Sequence, residues 1–415
     1  RDLVLRPLVL TCLVVLGSPV MAQDAAGIAA SMQRWLEATV WPKARRAGVS
    51  QDTFAAALTG LAPDLSLPDL VLPGAAAPDA LQAEFGPPAR YFRPSTLAAA
   101  TETGRRMARR HADTLARLEA RHGVPGHVLL AVWGRESAFG AAPLPHDAFR
   151  VLATKAFLAR RGAYFTDELV AALRLVETGR VDPRALRSSW AGALGQPQFM
   201  PSAVLEHAAD GDGDGVADIW GSAPDTLASI AQYLDDHGWV AGRDWGFEIT
   251  LPDSVSCVEE GPDKARTISE WERLGITRVS GRPFPTHERR GPASLMLPAG
   301  RLGPAFLVTP NFYGLKAYNF SDNYSLFVGH LGDRIAYGMG DFVQRWARTD
   351  ALSRHDIARL QRGLVARGLD TGGIDGLPGF CTRRAIGAWQ TATGRAATCF
   401  PSLDAVAAIG LEVGD

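Results

Sequence analysis

The chain has 415 residues, enough for a large apolar core and for more than one domain. Its 43 basic and 44 acidic side chains nearly balance, so the composition gives no sign of a nucleic-acid-binding surface. The densest basic run, Arg105–Arg110, lies within a helical pattern, and we interpret it as a solvated helix face rather than a polyanion site.

The first residues have the pattern of a secretory signal peptide. Arg1 and Arg6 precede a short apolar run at residues 8–16. This pattern predicts a leader over residues 1–22 that is removed on export. The run is too short to span a bilayer, and no longer one follows. Cys12 lies too early in that run for a lipid-attachment site. We therefore predict a soluble periplasmic protein with no transmembrane segment, rather than a lipoprotein.

Helical periodicity follows the predicted leader. Trp35 and Leu36 belong to an apolar stripe at helical spacing. Residues 62–95 are rich in Pro and Ala with little periodicity, which is typical of an extended connector. Thr96–Arg121 is then predicted to form one long amphipathic helix.

Glu136 lies in a helix predicted to begin at Pro125, since proline is frequent in the first turn of a helix. Val132 and Trp133 lie on its apolar face, and Glu136 follows them by four and three residues. Its carboxyl should therefore contact apolar side chains, where burial raises the pKa by disfavouring the charged form. A carboxylic acid protonated near neutral pH is what a glycosidic general acid requires. A buried glutamate paired with an arginine fits the same pattern.

A second segment, Ser188–Ser202, has the composition of a cleft wall. It is too rich in Gly, Pro and Gln for a core segment and too apolar for a solvated linker. Together, Arg135–Gly140 and Ala191–Ser202 resemble the lytic murein transglycosylase B family, glycoside hydrolase family 103. The resemblance covers most of residues 30–345, and the two motifs at this spacing are highly specific.

The resemblance implies a mainly α fold with a lysozyme-like helical catalytic domain over residues 23–347. Residues 163–177 are predicted to add a helix, with Thr166 or Asp167 as its N-cap. A small β-rich subdomain is predicted at 245–310. Its alternating apolar segments are Phe247–Leu251, Ser294–Leu297 and Ala305–Val308, the last two joined as a hairpin.

An acidic loop precedes the β-rich region. Asp210, Asp212 and Asp214 occupy the first, third and fifth positions of an EF-hand-like loop, and Val216 can offer its carbonyl at the seventh. Three close carboxylates repel one another unless a cation neutralises them, so the spacing favours a structural Ca²⁺. The usual glutamate at position twelve is absent, and the resemblance implies a longer loop closed by Asp225. A metal-free Asp/Gly turn is the alternative.

Residues 348–415 have the pattern of a separate unit. Asp356–Gly368, the loop at 373–379 and Thr382–Gln390 resemble the three-helix peptidoglycan-binding domain often appended to wall enzymes. The mature chain would keep three cysteines, and export permits a disulfide. Because Cys381 and Cys399 flank one small motif, we predict that they pair and that Cys257 is the free thiol.

The resemblance implies that the residues around the catalytic Glu136 are all neutral. The implied substrate-binding residues are Ser137, Ser189, Gln196, Gln198, Tyr318 and Asn319. Hydrolytic glycosidases generally use two carboxylates, and no second acid belongs to these motifs. One glutamate with neutral donors fits a lytic transglycosylase that needs no catalytic cofactor and acts on peptidoglycan glycan strands. Such an enzyme cleaves the bond between N-acetylmuramic acid and N-acetylglucosamine without water and leaves a 1,6-anhydro ring.

Two other functions fit the sequence. A hydrolytic muramidase would cleave the same bond with water, using Asp147 or an acid of the 210–214 loop as its second carboxylate. A non-catalytic scaffold would bind the wall through its C-terminal domain, and Glu136 would then be structural.

Overall fold

The computed structural model describes residues 19–73 and 86–411. The predicted leader, residues 1–22, and Cys12 lie almost entirely outside these described residues. The described chain is mainly helical, as expected, and none of its helices is both long and apolar enough to cross a membrane. Its α-helices are α1 Pro19–Trp35, α2 Trp41–Arg46, α3 Gln51–Leu58, α4 Pro94–Arg110, α5 Ala112–His122, α6 Gly126–Ser137, α7 Ala148–Leu158, α8 Gly162–Glu177, α9 Pro201–His207, α10 Ala223–Asp236, α11 Ile268–Arg273, α12 Pro310–Tyr318, α13 Asp322–Tyr337, α14 Arg354–Val365, α15 Phe380–Ala392 and α16 Leu403–Leu411.

The strands of the described chain are short. They are β1 His146–Asp147, β2 Arg187–Ser188, β3 Gly246–Thr250, β4 Arg266–Thr267, β5 Thr277–Arg278, β6 Pro292–Met296 and β7 Ala305–Val308. By its contacts the chain divides into two compact units. One unit runs to residue 70 and resumes at 146–186, and the other comprises residues 71–145 and everything from 187 onward.

The first unit packs α1, α2 and α3 with α7 and α8. Helix α1 continues through a π-helical turn, Leu36–Val40, directly into α2. Trp35 contacts Phe157 with ring centroids 5.4 Å apart, so this tryptophan packs within the unit. The N-cap of α8 is Arg161, so the predicted caps Thr166 and Asp167 are both wrong. Both residues lie inside the helix, where the Thr166 hydroxyl donates to the Gly162 carbonyl.

The second unit is built around α6. Val128, Leu129, Val132 and Trp133 of this helix are all buried, and α4, α10 and α13 pack around it. The long helix predicted before it is interrupted: α4 and α5 are separate because the backbone of His111 leaves the helical region at φ −112°.

An antiparallel sheet of five strands lies in the second unit, in the order β4-β6-β7-β3-β5. Leu307 of the central strand β7 lies opposite Leu295 of β6 and Phe247 of β3. Successive residues of a strand point to opposite faces, and here Leu307 enters the core of the β-rich region while Phe306 enters the helical core. The predicted β-rich insertion and its β6–β7 hairpin are confirmed.

Helices α14, α15 and α16 form a small apolar core of their own. Leu360, Ile386, Trp389 and Ile409 are buried in it. The second unit as a whole includes these helices, so the boundary predicted at residue 348 is not a division between the two compact units.

The predicted disulfide is wrong. Cys257 pairs with Cys399, with Cα atoms 6.2 Å apart, and Cys381 is the free cysteine. Cys381 lies at the beginning of α15 and Cys399 lies beyond its end, so a helix rising about 1.5 Å per residue separates them. Proximity in sequence therefore suggested the wrong partner. The observed bond joins the β-rich region to the C-terminal helices.

Candidate active site

Glu136 lies in the last turn of α6, directly before the helix ends. Ala138 and Phe139 both adopt left-handed backbone angles, with φ of 50° and 59°, and turn the chain away from the helix axis. The Ser137 hydroxyl donates to the Trp133 carbonyl and accepts the Gly140 N–H at 3.1 Å. Ser137 is buried, so its side chain stabilises the helix end that presents Glu136.

The surroundings of Glu136 favour the protonated acid. Burial raises the pKa of Glu136 to about 7, against a smaller lowering by the Tyr324 hydrogen bond and the Arg135 charge. The Tyr324 hydroxyl donates to Glu136 Oε1 at 2.5 Å. Arg135 points elsewhere, with its guanidinium carbon 5.1 Å from the Phe327 ring centroid. Within the described chain Glu136 forms no ion pair, so the alternative of a buried Glu–Arg pair is not what this helix provides.

Two tyrosines face the acid from the α12–α13 region. The Tyr318 and Tyr324 rings are nearly parallel, with an interplanar angle of 13° and centroids 6.4 Å apart. Burial, together with the nearby Glu136 charge, raises the pKa of both phenols well above the ordinary value. Both hydroxyls therefore remain protonated donors at neutral pH. Tyr318 uses its hydroxyl on the Pro197 carbonyl at 2.8 Å, which joins α12 to the cleft wall.

Tyr324 is the residue that sequence reasoning missed. It lies in the first turn of α13, where the N-cap Ser321 accepts its backbone N–H. The only signal in the sequence is its position shortly after the Tyr318–Asn319 motif, at a helix start that directs side chains back toward α12. The contact spans 188 positions of sequence, so no local pattern could assign it.

Gln196 fastens the cleft wall to α6. Its Oε1 accepts the indole N–H of Trp133 and its Nε2 donates to the Trp220 carbonyl, both at 2.9 Å. Both ends of the amide are therefore engaged with protein atoms. Gly140 approaches the same amide so closely that a Cβ there would lie 2.4 Å from Gln196 Oε1. The wall is thus held at a fixed distance from the end of the glutamate helix.

Gln198 and Ser189 shape the wall from within. Gln198 adopts a left-handed backbone at φ 55°, and its Nε2 donates to the Gly195 carbonyl at 2.9 Å. Ser189 Oγ accepts the N–H groups of Ala191 and Ala193, at 3.3 and 3.2 Å. These contacts close two tight turns. The richness of Ser188–Ser202 in Gly, Pro and Gln therefore reflects the turns that this segment makes.

Asn319 ends α12 and is exposed. Its Oδ1 accepts the Ser321 N–H at 3.2 Å, which tightens the turn between α12 and α13. Beside it, Phe320 is 88% exposed, and both residues lie on a cavity of about 790 Å³ that also involves α14, α15 and the loop between them. Thus Glu136, Tyr324, Tyr318 and the Pro197 carbonyl form one connected cluster, with Asn319 adjoining it.

The acids considered as a second carboxylate have local partners. Asp147 is the N-cap of α7 and accepts the Arg150 N–H at 2.9 Å. Asp210 accepts the N–H groups of Gly213 and Gly215. Among the described residues, the hydrogen-bond partner of Glu136 is the neutral phenol of Tyr324, which is not one of the predicted site residues.

The acidic loop has the geometry of a cation site at three of its predicted ligands. Asp210, Asp212 and Asp214 are exposed, and each offers an oxygen within 4.8 Å of the others. Val216 is exposed, and its N–H donates to Asp214 at 2.8 Å. Three converging carboxylates fit a hard cation such as Ca²⁺.

Asp225 closes this loop by hydrogen bonds. Its Oδ1 accepts the Gly211 N–H and its Oδ2 accepts the Asp218 N–H, both at 2.8 Å. Its side chain is buried at the start of α10, below the exposed acids. Asp225 therefore holds the loop through backbone amides, and its role as a Ca²⁺ ligand stays a prediction.

Comparisons with known proteins show which proteins this chain is similar to. Residues 31–333 match the family described as a transglycosylase SLT domain. The membrane-bound lytic murein transglycosylase B of Escherichia coli (strain K12) is 32% identical over 226 residues, which make up 54% of this chain and only 60% of that protein. The crystal structure of SltB3 from Pseudomonas aeruginosa in complex with NAG-NAM-pentapeptide has 37% identity and a TM-score of 0.82, covering 91% of this chain and 99% of that one. Escherichia coli Slt35 in complex with calcium has 29% identity and a TM-score of 0.50, covering 60% of this chain and 77% of that one.

Proposed function

The chain belongs to the transglycosylase SLT domain family, and we propose that it is a lytic transglycosylase of peptidoglycan. The observation that carries the proposal is the half-buried Glu136 carboxyl, which is hydrogen-bonded to the neutral phenol of Tyr324 and has no ion-pair partner in the described chain. A pKa of about 7 leaves much of this group protonated near neutral pH, as a general acid requires. The relatives with bound peptidoglycan fragments supply the substrate class.

The proposed reaction uses Glu136 twice. Its carboxyl proton passes to the oxygen that links N-acetylmuramic acid to N-acetylglucosamine, and the bond from that oxygen to the muramyl C1 breaks. The substrate's own N-acetyl carbonyl stabilises the electron-poor C1. The Glu136 carboxylate then removes the proton from the muramyl 6-hydroxyl, whose oxygen bonds to C1. The ring closes without water because the tethered hydroxyl has a high effective concentration.

Tyr324 suits both halves of this cycle. A donor 2.5 Å from Oε1 stabilises the carboxylate that forms after proton transfer, and it fixes which oxygen carries the proton. By that argument Oε2 is the oxygen that addresses the substrate. The hydrogen bond also lowers the pKa of Glu136 against the effect of burial, which keeps the acid near neutrality rather than permanently protonated.

We assign substrate contacts to the neutral residues of the cleft. Asn319 is exposed beside Tyr318 and can offer its amide to the glycan. Gln198 and Ser189 would position the N-acetyl group by the remaining hydrogen-bonding capacity of their side chains. We propose that Ser137, Gln196 and Tyr318 instead fix the position of the segment Ser188–Ser202 relative to Glu136. Their polar atoms are hydrogen-bonded to other protein atoms.

We also propose roles for the regions outside the cleft. The C-terminal helices from residue 348 would bind glycan strands as a wall-binding domain. A Ca²⁺ held by Asp210, Asp212 and Asp214 would brace the loop before α10 and take no part in the chemistry. Peptidoglycan lies outside the cytoplasmic membrane, so we place the enzyme in the bacterial envelope. A periplasmic, unanchored form released from the leader 1–22 remains a prediction.

The deciding experiment is mass spectrometry of the products released from purified peptidoglycan by residues 23–415. Muropeptides that end in 1,6-anhydromuramic acid are expected. Reducing ends, heavier by one water, would instead establish a hydrolytic muramidase with a second carboxylate. Binding to peptidoglycan without any released product would establish a scaffold.

A further inference from the structure

Arg383 of the C-terminal helix α15 is almost completely buried and fixed on several sides. Its Nε donates to Glu260 Oε2 at 3.0 Å and its Nη2 donates to Glu260 Oε1 at 2.5 Å. Its Nη1 donates to the Pro378 carbonyl at 2.8 Å. Glu260 is itself fully buried and accepts the Leu297 N–H at the end of β6. The guanidinium is therefore a rigid group, because a paired, planar fork has little freedom left.

The same guanidinium reaches the catalytic domain. Its Nη2 donates to Asp322 Oδ2 at 3.2 Å, and Asp322 is the first residue of α13. The other oxygen of Asp322 accepts from Lys316 of α12 at 2.6 Å. Burial alone would raise the pKa of Asp322, but the charges of Arg383 and Lys316 lower it, so this side chain is an anion in the folded protein. An anion in the first helical turn also stabilises that turn.

The turn that Arg383 contacts is the one that carries Tyr324. Tyr324 lies two residues after Asp322, and its backbone N–H is bound by the cap Ser321. Its hydroxyl then meets Glu136. Asp322 has a second partner in Lys316, but that lysine belongs to the preceding helix and lies on a flexible stem. Arg383 is the partner that ties the turn to the sheet and to the C-terminal helices.

We propose that Arg383 is a positioning residue for the catalytic acid: through Asp322 it fixes the first turn of α13, and thereby the Tyr324 hydroxyl on Glu136. The C-terminal helices are then part of the catalytic machinery as well as a candidate wall-binding domain. This inference rests on the proposed function only for its kinetic consequence. The placement of Tyr324 against Glu136 is a property of the folded protein that can be measured without substrate.

The direct variant, Arg383→Met, would leave Glu260 as a buried unpaired anion and could unfold the protein. The test therefore uses Arg383→Met combined with Glu260→Met, which removes the pair together and changes the net charge by zero. Asp322→Asn is the second variant, since it keeps the shape of the side chain. The matched control is Arg384→Met: it is the next residue of α15, and its hydrogen bonds in the described chain go to the half-exposed Asp263 and to the Glu260 backbone carbonyl, not to Asp322.

The first measurement is the kcat and KM of each folded variant on peptidoglycan. In the double variant and in Asp322→Asn, kcat should fall about tenfold with KM changed less than about twofold, because the acid is misplaced while the glycan contacts remain. Arg384→Met should keep the wild-type kcat. Equal kcat in all three variants, or an equal loss in the control, would overturn the inference.

The second measurement needs no activity. A ¹³C NMR titration of the Glu136 carboxyl should give a higher pKa in the double variant than in the wild type, since the Tyr324 hydrogen bond that lowers the pKa is weakened. The groups that face this carboxyl, Arg135, Tyr318 and Tyr324, are unchanged in the variant. An unshifted titration would contradict the inference. A wild type that releases no anhydro product would refute the proposed function alone, because the titration still reports on the placement of Tyr324.

Discussion

The protonation of Glu136 is set by three features of its surroundings: burial, a neutral hydrogen-bond donor and the absence of an ion-pair partner in the described chain. Burial holds its pKa near neutrality, and Tyr324 keeps it from rising further. A carboxyl group in this state can both give and take a proton at the same pH. The consequences at the residue scale concern this group and the phenol beside it.

Glu136→Gln should abolish cleavage of peptidoglycan and leave binding intact. The amide keeps the shape of the side chain but can neither donate a catalytic proton nor accept one, so a loss of at least about 100-fold is expected. Product release measured by mass spectrometry and a pelleting assay for binding would show this. The exposed Glu206→Gln is the control and should behave as wild type. Substantial anhydro product from the Glu136 variant would remove this residue from the mechanism.

The shifted pKa of Glu136 should also make the stability of the protein depend on pH. Between pH 4.5, its ordinary pKa, and about 7, the folded Glu136 binds more protons than the unfolded one. Its contribution to the free energy of unfolding is therefore greatest at low pH and is lost as the pH rises through this window. Thermal unfolding should show a smaller decline across pH 4.5 to 7 in Glu136→Gln than in the wild type. Identical declines would mean that Glu136 is not buried as described.

Tyr324→Phe should move the pH profile of the enzyme. Because the phenol lowers the pKa of Glu136, its loss raises that pKa, and the fall in rate at high pH should begin at a higher pH than in the wild type. The maximal kcat should also drop by about tenfold, since the carboxylate loses a charge-assisted hydrogen bond. Tyr337→Phe, at the exposed end of the same helix, is the control. An unmoved profile would show that Tyr324 has no electrostatic effect on the acid.

At the scale of elements, the acidic loop and α10 form one construction. Asp225 lies in the first turn of α10 and holds the loop by two backbone amides, while the exposed acids stand above it. Gly213 and Gly215 adopt left-handed angles, with φ of 85° and 90°, which allow their N–H groups to turn toward Asp210. The two amides thus hold the Asp210 carboxylate, while the three acids remain exposed at the surface of the loop.

Calcium should stabilise this construction. At a free concentration of 100 times its Kd, a bound ion adds about 2.7 kcal/mol to the free energy of unfolding, so the melting temperature should rise by several degrees. Addition of EGTA should reverse the rise, and Mg²⁺ at the same concentration should give a smaller one, because it demands a stricter geometry. Asp212→Asn should weaken the response. A melting temperature that ignores Ca²⁺ would establish the metal-free turn.

Sequence patterns predicted those elements whose causes are local. The placement of Glu136 followed from helical spacing, and the β6–β7 hairpin followed from alternation and from Pro and Gly between its strands. The break at His111 was missed because the apolar stripe continues across it. Tyr324 and the Cys257–Cys399 bond were missed because their contacts depend on how distant helices pack, which no short-range pattern encodes.

At the scale of the whole molecule, covalent and ionic links bind the C-terminal helices to the rest of the second unit. The disulfide joins residues 142 positions apart, and the Glu260–Arg383 pair lies buried nearby in the same region. A domain that only tethers an enzyme to its substrate would not require either link. Their presence is consistent with the positioning role inferred for Arg383.

Replacement of both Cys257 and Cys399 by Ala should lower stability. A cross-link over so long a loop restricts the unfolded chain and is worth about 2–4 kcal/mol, so the melting temperature should fall by several degrees. Cys381→Ala is the control and should leave the melting temperature nearly unchanged, since this thiol has no disulfide partner. If the double Cys257 and Cys399 variant and the Cys381→Ala variant have the same melting temperature under oxidising conditions, the assigned pairing is refuted.

The order of the cysteines along the chain determines which of them can pair at each stage of synthesis. Among the three cysteines that follow the predicted leader, Cys257 emerges first during synthesis, and the next thiol it meets is Cys381, which ends unpaired. The correct partner, Cys399, arrives last. In an oxidising compartment the nascent chain can therefore close a wrong ring before the right one is available, and maturation then requires thiol–disulfide exchange. We expect this protein to depend on a disulfide isomerase, and Cys381→Ala to relieve that dependence.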